Sequence, residues 1–148
     1  MTALRHACLA LALCASACGA DTSACGSSLP IGAPAHATAG DVKPILARSC
    51  ALGGCHLRAP GAGDLVLDVS SAAWRTAIVG VQARENPAMD LVAPGEPDRS
   101  WLVAKISGTF CGASCDRALG CGAAMPSGEP LSDSERATIV AWIADGAR

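Results

Sequence analysis

The apolar positions of this chain fall into short clusters, and the spacing within each predicts an element. From Asp41 onward, Val42, Ile45, Leu46 and Ser49 follow the three- and four-residue steps of one helix face. Asp41 is placed to cap that helix, and Pro44 fits only in its first turn. Residues 65–69, Leu-Val-Leu-Asp-Val, predict a short extended segment. A second helix is expected from Ser70 or Ser71 through Trp74, Ile78 and Val79. Residues 93–97 carry the Gly and Pro of a turn, after which Asp98 is expected to cap a third helix holding Trp101, Leu102, Lys105 and Ile106. The last helix has the clearest start. Ser132 and Glu135 form a capping box, the hydroxyl serving the N3 amide and the carboxylate reaching back. Ile139, Val140, Trp142 and Ile143 are expected on one face of that helix, and Gly146 stops it. The predicted fold class is mainly α, about four short helices joined by long loops, with no internal repeat.

The N-terminal end follows a different pattern. Arg5 and His6 precede an apolar run over residues 7–17, broken only by small residues and too short to cross a bilayer. A charged start and a short apolar core are the marks of an export signal. Ala15, Ser16 and Ala17 then lead into Cys18, with Gly19 behind it. This resembles the bacterial lipobox, which implies acylation of Cys18; an ordinary signal peptide cleaved nearby is the alternative. The expected organisation is a lipoprotein signal peptide over residues 1–17, a flexible Ala/Gly/Ser/Pro tether over 18–40, and one domain over 41–148. The protein is therefore expected outside the cytoplasm, in the periplasm or at the cell surface. Acyl chains on Cys18, rather than a spanning helix, would hold it to a bacterial membrane.

Composition narrows the function. A net charge of −2 argues against nucleic acid, which requires a basic patch, so no nucleic-acid partner is expected. With three Trp, one Phe and no Tyr, the domain has few large side chains to bury. A small core of that kind needs covalent staples or a bound cofactor. Nine cysteines offer both. Cys8 and Cys14 belong to the signal and Cys18 to the lipid, leaving Cys25, Cys50, Cys55, Cys111, Cys115 and Cys121. In an oxidising compartment these make either three disulfides, or two disulfides and a pair of thiols kept for a cofactor. For the loop cysteines, zinc is disfavoured by their wide spacing. Two of Cys111, Cys115 and Cys121 are expected to pair with each other, and the third with Cys25.

The chemistry lies at residues 50–56, Cys-Ala-Leu-Gly-Gly-Cys-His. A c-type haem needs two thiols for thioether bonds and a histidine beside the second thiol to ligate iron, usually as C-x-x-C-H. Here four residues separate Cys50 from Cys55, and Gly53 and Gly54 give the longer loop its freedom. The competing reading is a Cys50–Cys55 disulfide with His56 as an incidental neighbour. A second axial ligand is available in Met125, in a Met-Pro-Ser-Gly turn ahead of the capped helix. Met89 and His36 are lesser candidates, and a role for Met125 as a core gap-filler is the alternative to ligation.

Residues 42–50 with Cys55 and His56 resemble the opening of small planctomycete-type cytochrome c domains, and relatives in myxobacterial lipoproteins show the same widened C-x4-C-H. Residues 93–102, Met125 with Pro126, and residues 131–147 resemble later blocks of that family in the same order. The resemblance implies a class I cytochrome c-like domain with one covalent haem c on Cys50, Cys55, His56 and Met125. It also implies an electron-transfer role with redox partner proteins. No hydrolase triad, phosphate-binding loop or carboxylate motif is present in the sequence, and a carrier rather than an enzyme is expected. A haem-free, disulfide-stapled lipoprotein domain with a binding or structural role is the alternative.

Overall fold

The computed structural model describes residues 33–110 and 113–148. The signal peptide, Cys18, most of the tether, Cys25 and Cys111 lie outside the described residues. Within them are three α-helices, α1 (Ala39–Ser49), α2 (Trp101–Ser107) and α3 (Asp133–Ala144), and three single 3₁₀ turns (Ala62–Asp64, Trp74–Ala77 and Pro97–Arg99). The mainly α class holds.

α1 and α3 pack together and form the core. α1 contributes Val42, Ile45 and Leu46, none more than 5 % exposed. On α3, the five consecutive residues from Ile139 to Ile143 are all buried, with Ala137 two residues earlier. Five successive positions cover every side of a helix, so the second half of α3 is enclosed rather than one-faced as the sequence predicts. Trp142 is fully enclosed: its ring lies 5.7 Å from that of Trp74, and its indole N–H donates to the Arg148 carbonyl at 3.1 Å. The frame is closed by polar ties as well. Arg48 of α1 pairs with Glu135 of α3. The Ala37 and Ala39 amides donate to Asp145 and to the Arg148 carbonyl.

The helix starts differ from expectation at two places. α1 begins at Ala39, two residues inside the predicted tether. Thr38 is its cap, and Asp41, at the third helical position, accepts from the Thr38 amide at 2.8 Å. Pro44 therefore sits beyond the first turn, where it removes one hydrogen bond from the helix. α2 starts after the Pro97–Arg99 turn, with Ser100 rather than Asp98 at its cap. The Ser100 hydroxyl instead ties the preceding turn, accepting from the Ala93 amide at 2.9 Å and donating to the Glu96 carbonyl at 3.0 Å.

The predicted second helix is reduced to the Trp74–Ala77 turn. Val79 forms a parallel bridge to Val92, the Gly80 amide donates to the Val92 carbonyl, and the Val92 amide donates to Ile78. Those contacts draw Ile78 and Val79 out of helical geometry, and β-branched residues yield readily to such pairing. Residues 65–69 do alternate, with Leu67 and Val69 buried and Val66 exposed, yet they join no ladder. Their main tie is the Leu67 amide on the His56 carbonyl at 2.6 Å, which lays this segment beside the cysteine–histidine loop.

Candidate functional site

α1 delivers Cys50 at its C-terminus, and the loop beyond is tightly wound. The Cys50 and Ala51 amides both donate to Leu46, the Cys55 and Leu57 amides to Leu52, and the His56 amide to Cys50 at 3.3 Å. The two residues added between the cysteines are thus absorbed in one extra turn. Gly54 takes a positive φ of 84° there, a conformation that favours glycine over any side chain. Gly61 is needed as well: a Cβ on it would meet the Leu65 carbonyl at 1.8 Å, so the chain can double back from His56 only over a bare backbone.

Cys50, Cys55, His56 and Met125 all line one cleft of about 750 Å³. Its walls are mostly aliphatic, with Leu46, Leu67, Ile78, Ile106 and Leu131 among them, and Leu52 stands at the exposed lip. The size and the largely apolar lining, crossed by charged groups, are those of a cofactor or small-molecule site. Cys50 and Cys55 are not bonded to each other and stand as free thiols. Burial, and then the neighbouring Cys55, push the Cys50 thiol up to about 11, so it is protonated at neutral pH.

His56 is oriented by a backbone partner. Its Nδ1 lies 3.3 Å from the Leu65 carbonyl. With Nδ1 donating to that oxygen, Nε2 keeps its lone pair for a metal, the arrangement by which ligating histidines are held in one tautomer. The donor set of two thiols, one imidazole and one thioether on a shared apolar cleft fits a c-type haem.

The lesser candidates lie elsewhere. Met89 lines a separate cleft of about 290 Å³ with Asn86, Ala88 and Pro97. His36 is exposed and faces the Asp145 carboxylate at 3.2 Å. Cys115 and Cys121 are bonded to each other, in keeping with the expected pairing within the loop, and both sulfurs are thereby withdrawn from any zinc set. Cys25 and Cys111, left over by that bond, lie outside the described residues.

The cleft also holds residues that the sequence analysis did not single out for the site. Glu85, Trp101 and Lys105 form a largely buried polar cluster on its wall, and Arg48, its partner Glu135, and Arg84, paired with Asp64, line it as well; of these pairs only Asp64 lies off the wall. One signal was available: Trp101 and Lys105 are four apart and share a helix face that is otherwise apolar. Glu85, distant in sequence, gives no such sign. No family model, curated protein or solved structure matches the chain. Among the described residues no helix is long and apolar enough to cross a membrane.

Proposed function

We propose that this chain is a haem c-binding electron-transfer protein, exported and held to a membrane by a lipid on Cys18. The observation that supports it best is the convergence of Cys50, Cys55, His56 and Met125 on one apolar cleft. Bound there, haem would supply a one-electron couple that no side chain of this protein offers. The protein's own part is to hold and tune. Cys50 and Cys55 would carry the thioether bonds, and the wound loop between them sets their separation. His56 would ligate iron through Nε2 while the Leu65 carbonyl keeps its ring from turning. Met125 would help hold the group through a soft thioether, suited to a carrier that passes single electrons to redox partner proteins. The aliphatic part of the walls would lower the polarity around the bound group, which raises the influence of nearby charges on the redox couple.

Two substitutions test this reading. His56→Ala should abolish the low-spin c-type spectrum, and an unchanged haem spectrum would remove His56 as the ligand. Met125→Ala should keep the covalent haem, open the iron to added small ligands and lower the potential. No change in either property would remove Met125.

A further inference from the structure

The polar cluster in the cleft has no part in haem ligation as assigned above. Lys105 of α2 is 8 % exposed, and its ammonium has three oxygen partners. Glu85 Oε2 lies at 2.7 Å, the Cys121 carbonyl at 2.7 Å and the Ala123 carbonyl at 3.1 Å. An ammonium carries three protons, so this one is fully satisfied, as a buried charge must be. Glu85 is fixed in turn, since its Oε2 also accepts from the Trp101 indole N–H at 3.1 Å. The rings of Trp101 and Phe110 both lie 5.6 Å from the ammonium.

The bonds of Lys105 fall on the segment that carries Met125. Two of its N–H groups hold the backbone at residues 121 and 123, and its own carbonyl accepts from the Met125 amide at 2.9 Å. Gly122, between the two held carbonyls, has a φ of 64°. A Cβ on it would come within 2.6 Å of Glu85 Oε1 and 2.7 Å of Lys105 Nζ. The loop backbone is therefore pressed directly onto the ion pair. Residues 122–124 are otherwise exposed and belong to no helix or strand, so little else holds them.

We infer that Lys105, oriented by Glu85, is a positioning residue that clamps residues 121–125 onto α2 and so keeps the Met125 thioether in the cleft. The consequence for iron ligation rests on the reading of Met125 as an axial ligand. The clamp itself rests on the contacts alone. A neutral or shorter side chain at position 105 frees the loop, and the bond between a thioether and iron, weak compared with that of His56, then competes with loop motion.

The test uses the full-length protein from the cell that makes it, as wild type, Lys105→Met and Glu85→Gln. Hydrogen exchange is read at residues 121–125 and, as control, in α1 and α3. The potential and the ferric sulfur-to-iron charge-transfer band are read on the same samples. The clamp predicts that Lys105→Met speeds exchange of the Met125 amide, which donates to the Lys105 carbonyl, by about ten- to a hundredfold, the range for loss of the charge-assisted bonds that hold its loop. α1 and α3 should stay unchanged, covalent haem should be retained, and the band and potential should both fall. Glu85→Gln should shift all of these in the same direction by less. Unchanged loop exchange in Lys105→Met overturns the inference, as does an unaltered band and potential in a loop that has been freed. If Lys105→Met does not fold, Gly122→Ala, which forces the backbone off the ion pair, is read against the same two criteria. A wild-type protein without haem contradicts the proposed function instead, and loop exchange alone then decides whether the clamp exists.

Discussion

In the frame made by α1 and α3, Val42, Ile45, Leu46, Ile139, Val140, Trp142 and Ile143 are each at most 6 % exposed, and Arg48 and Glu135 add an ion pair at the edge. Between Ile106 and Leu131, by contrast, no described residue is buried. That stretch is shaped by the Cys115–Cys121 bond, by the bonds of Lys105, and by Asp116, whose carboxylate accepts from the Ala118 and Leu119 amides at 2.8 and 2.9 Å. One region is ordered by apolar burial, which is cooperative and non-directional. The other is ordered by a covalent link and a few directional bonds, each of which can be removed alone. The frame therefore sets whether the domain folds, and the loop sets what its second wall presents to the cleft.

That division can be broken by substitution. The largest effect is expected for Trp142→Ala, which empties the centre of the frame and should cost about 3–5 kcal/mol in denaturant unfolding. On the proposed haem reading, the folded fraction should keep the wild-type absorption spectrum; a changed spectrum with little loss of stability would reverse the roles given to the two regions. Gly61→Ala is next, at about 1–3 kcal/mol, because its Cβ collides with the Leu65 backbone, which must shift. This substitution also displaces the Leu65 carbonyl that orients His56, so the spectrum should change along with stability. Ser132→Ala removes one half of the α3 cap and should cost about 1 kcal/mol, with no effect on the spectrum.

The smallest effect is that of acid. Hydrogen bonding from Arg48, and then from Ser132, holds the Glu135 carboxyl down at about 2, against 4.5 for the free group. The folded state thus binds fewer protons than the unfolded chain between these values. The contribution of this carboxylate is fully present above about pH 4.5 and is lost as the pH falls toward 2. Glu135→Gln should flatten the acid limb of the stability curve and leave the neutral region of the curve nearly level. An acid limb identical to that of the wild type would show that the Arg48 pair does not carry it.

Much of this was legible in the sequence where interactions are local. The α3 capping box is closed as written, with the Ser132 amide donating to Glu135 at 2.7 Å. The adjacency of Cys50, Cys55 and His56 put three site residues on one loop before any fold was known. Thr38 was missed as the cap of α1 although Thr-x-x-Asp is itself a capping pattern; the small-residue composition around it reads as tether. The helix expected over residues 70–79 failed because the Val79–Val92 bridge is a non-local contact that no propensity registers. The Glu85–Lys105 pair was illegible for the same reason. Its partners belong to different segments, and only the folded chain brings them to the loop that carries Met125.

The most direct test of the central claim is the intact mass of the protein purified from the cell that makes it, with an absorption spectrum of the same sample. The account predicts a mass raised by one covalent haem and a reduced spectrum of the c type. A mass explained by lipid and paired cysteines alone, with no visible absorption, would contradict it and leave the cleft as a site for some other apolar ligand.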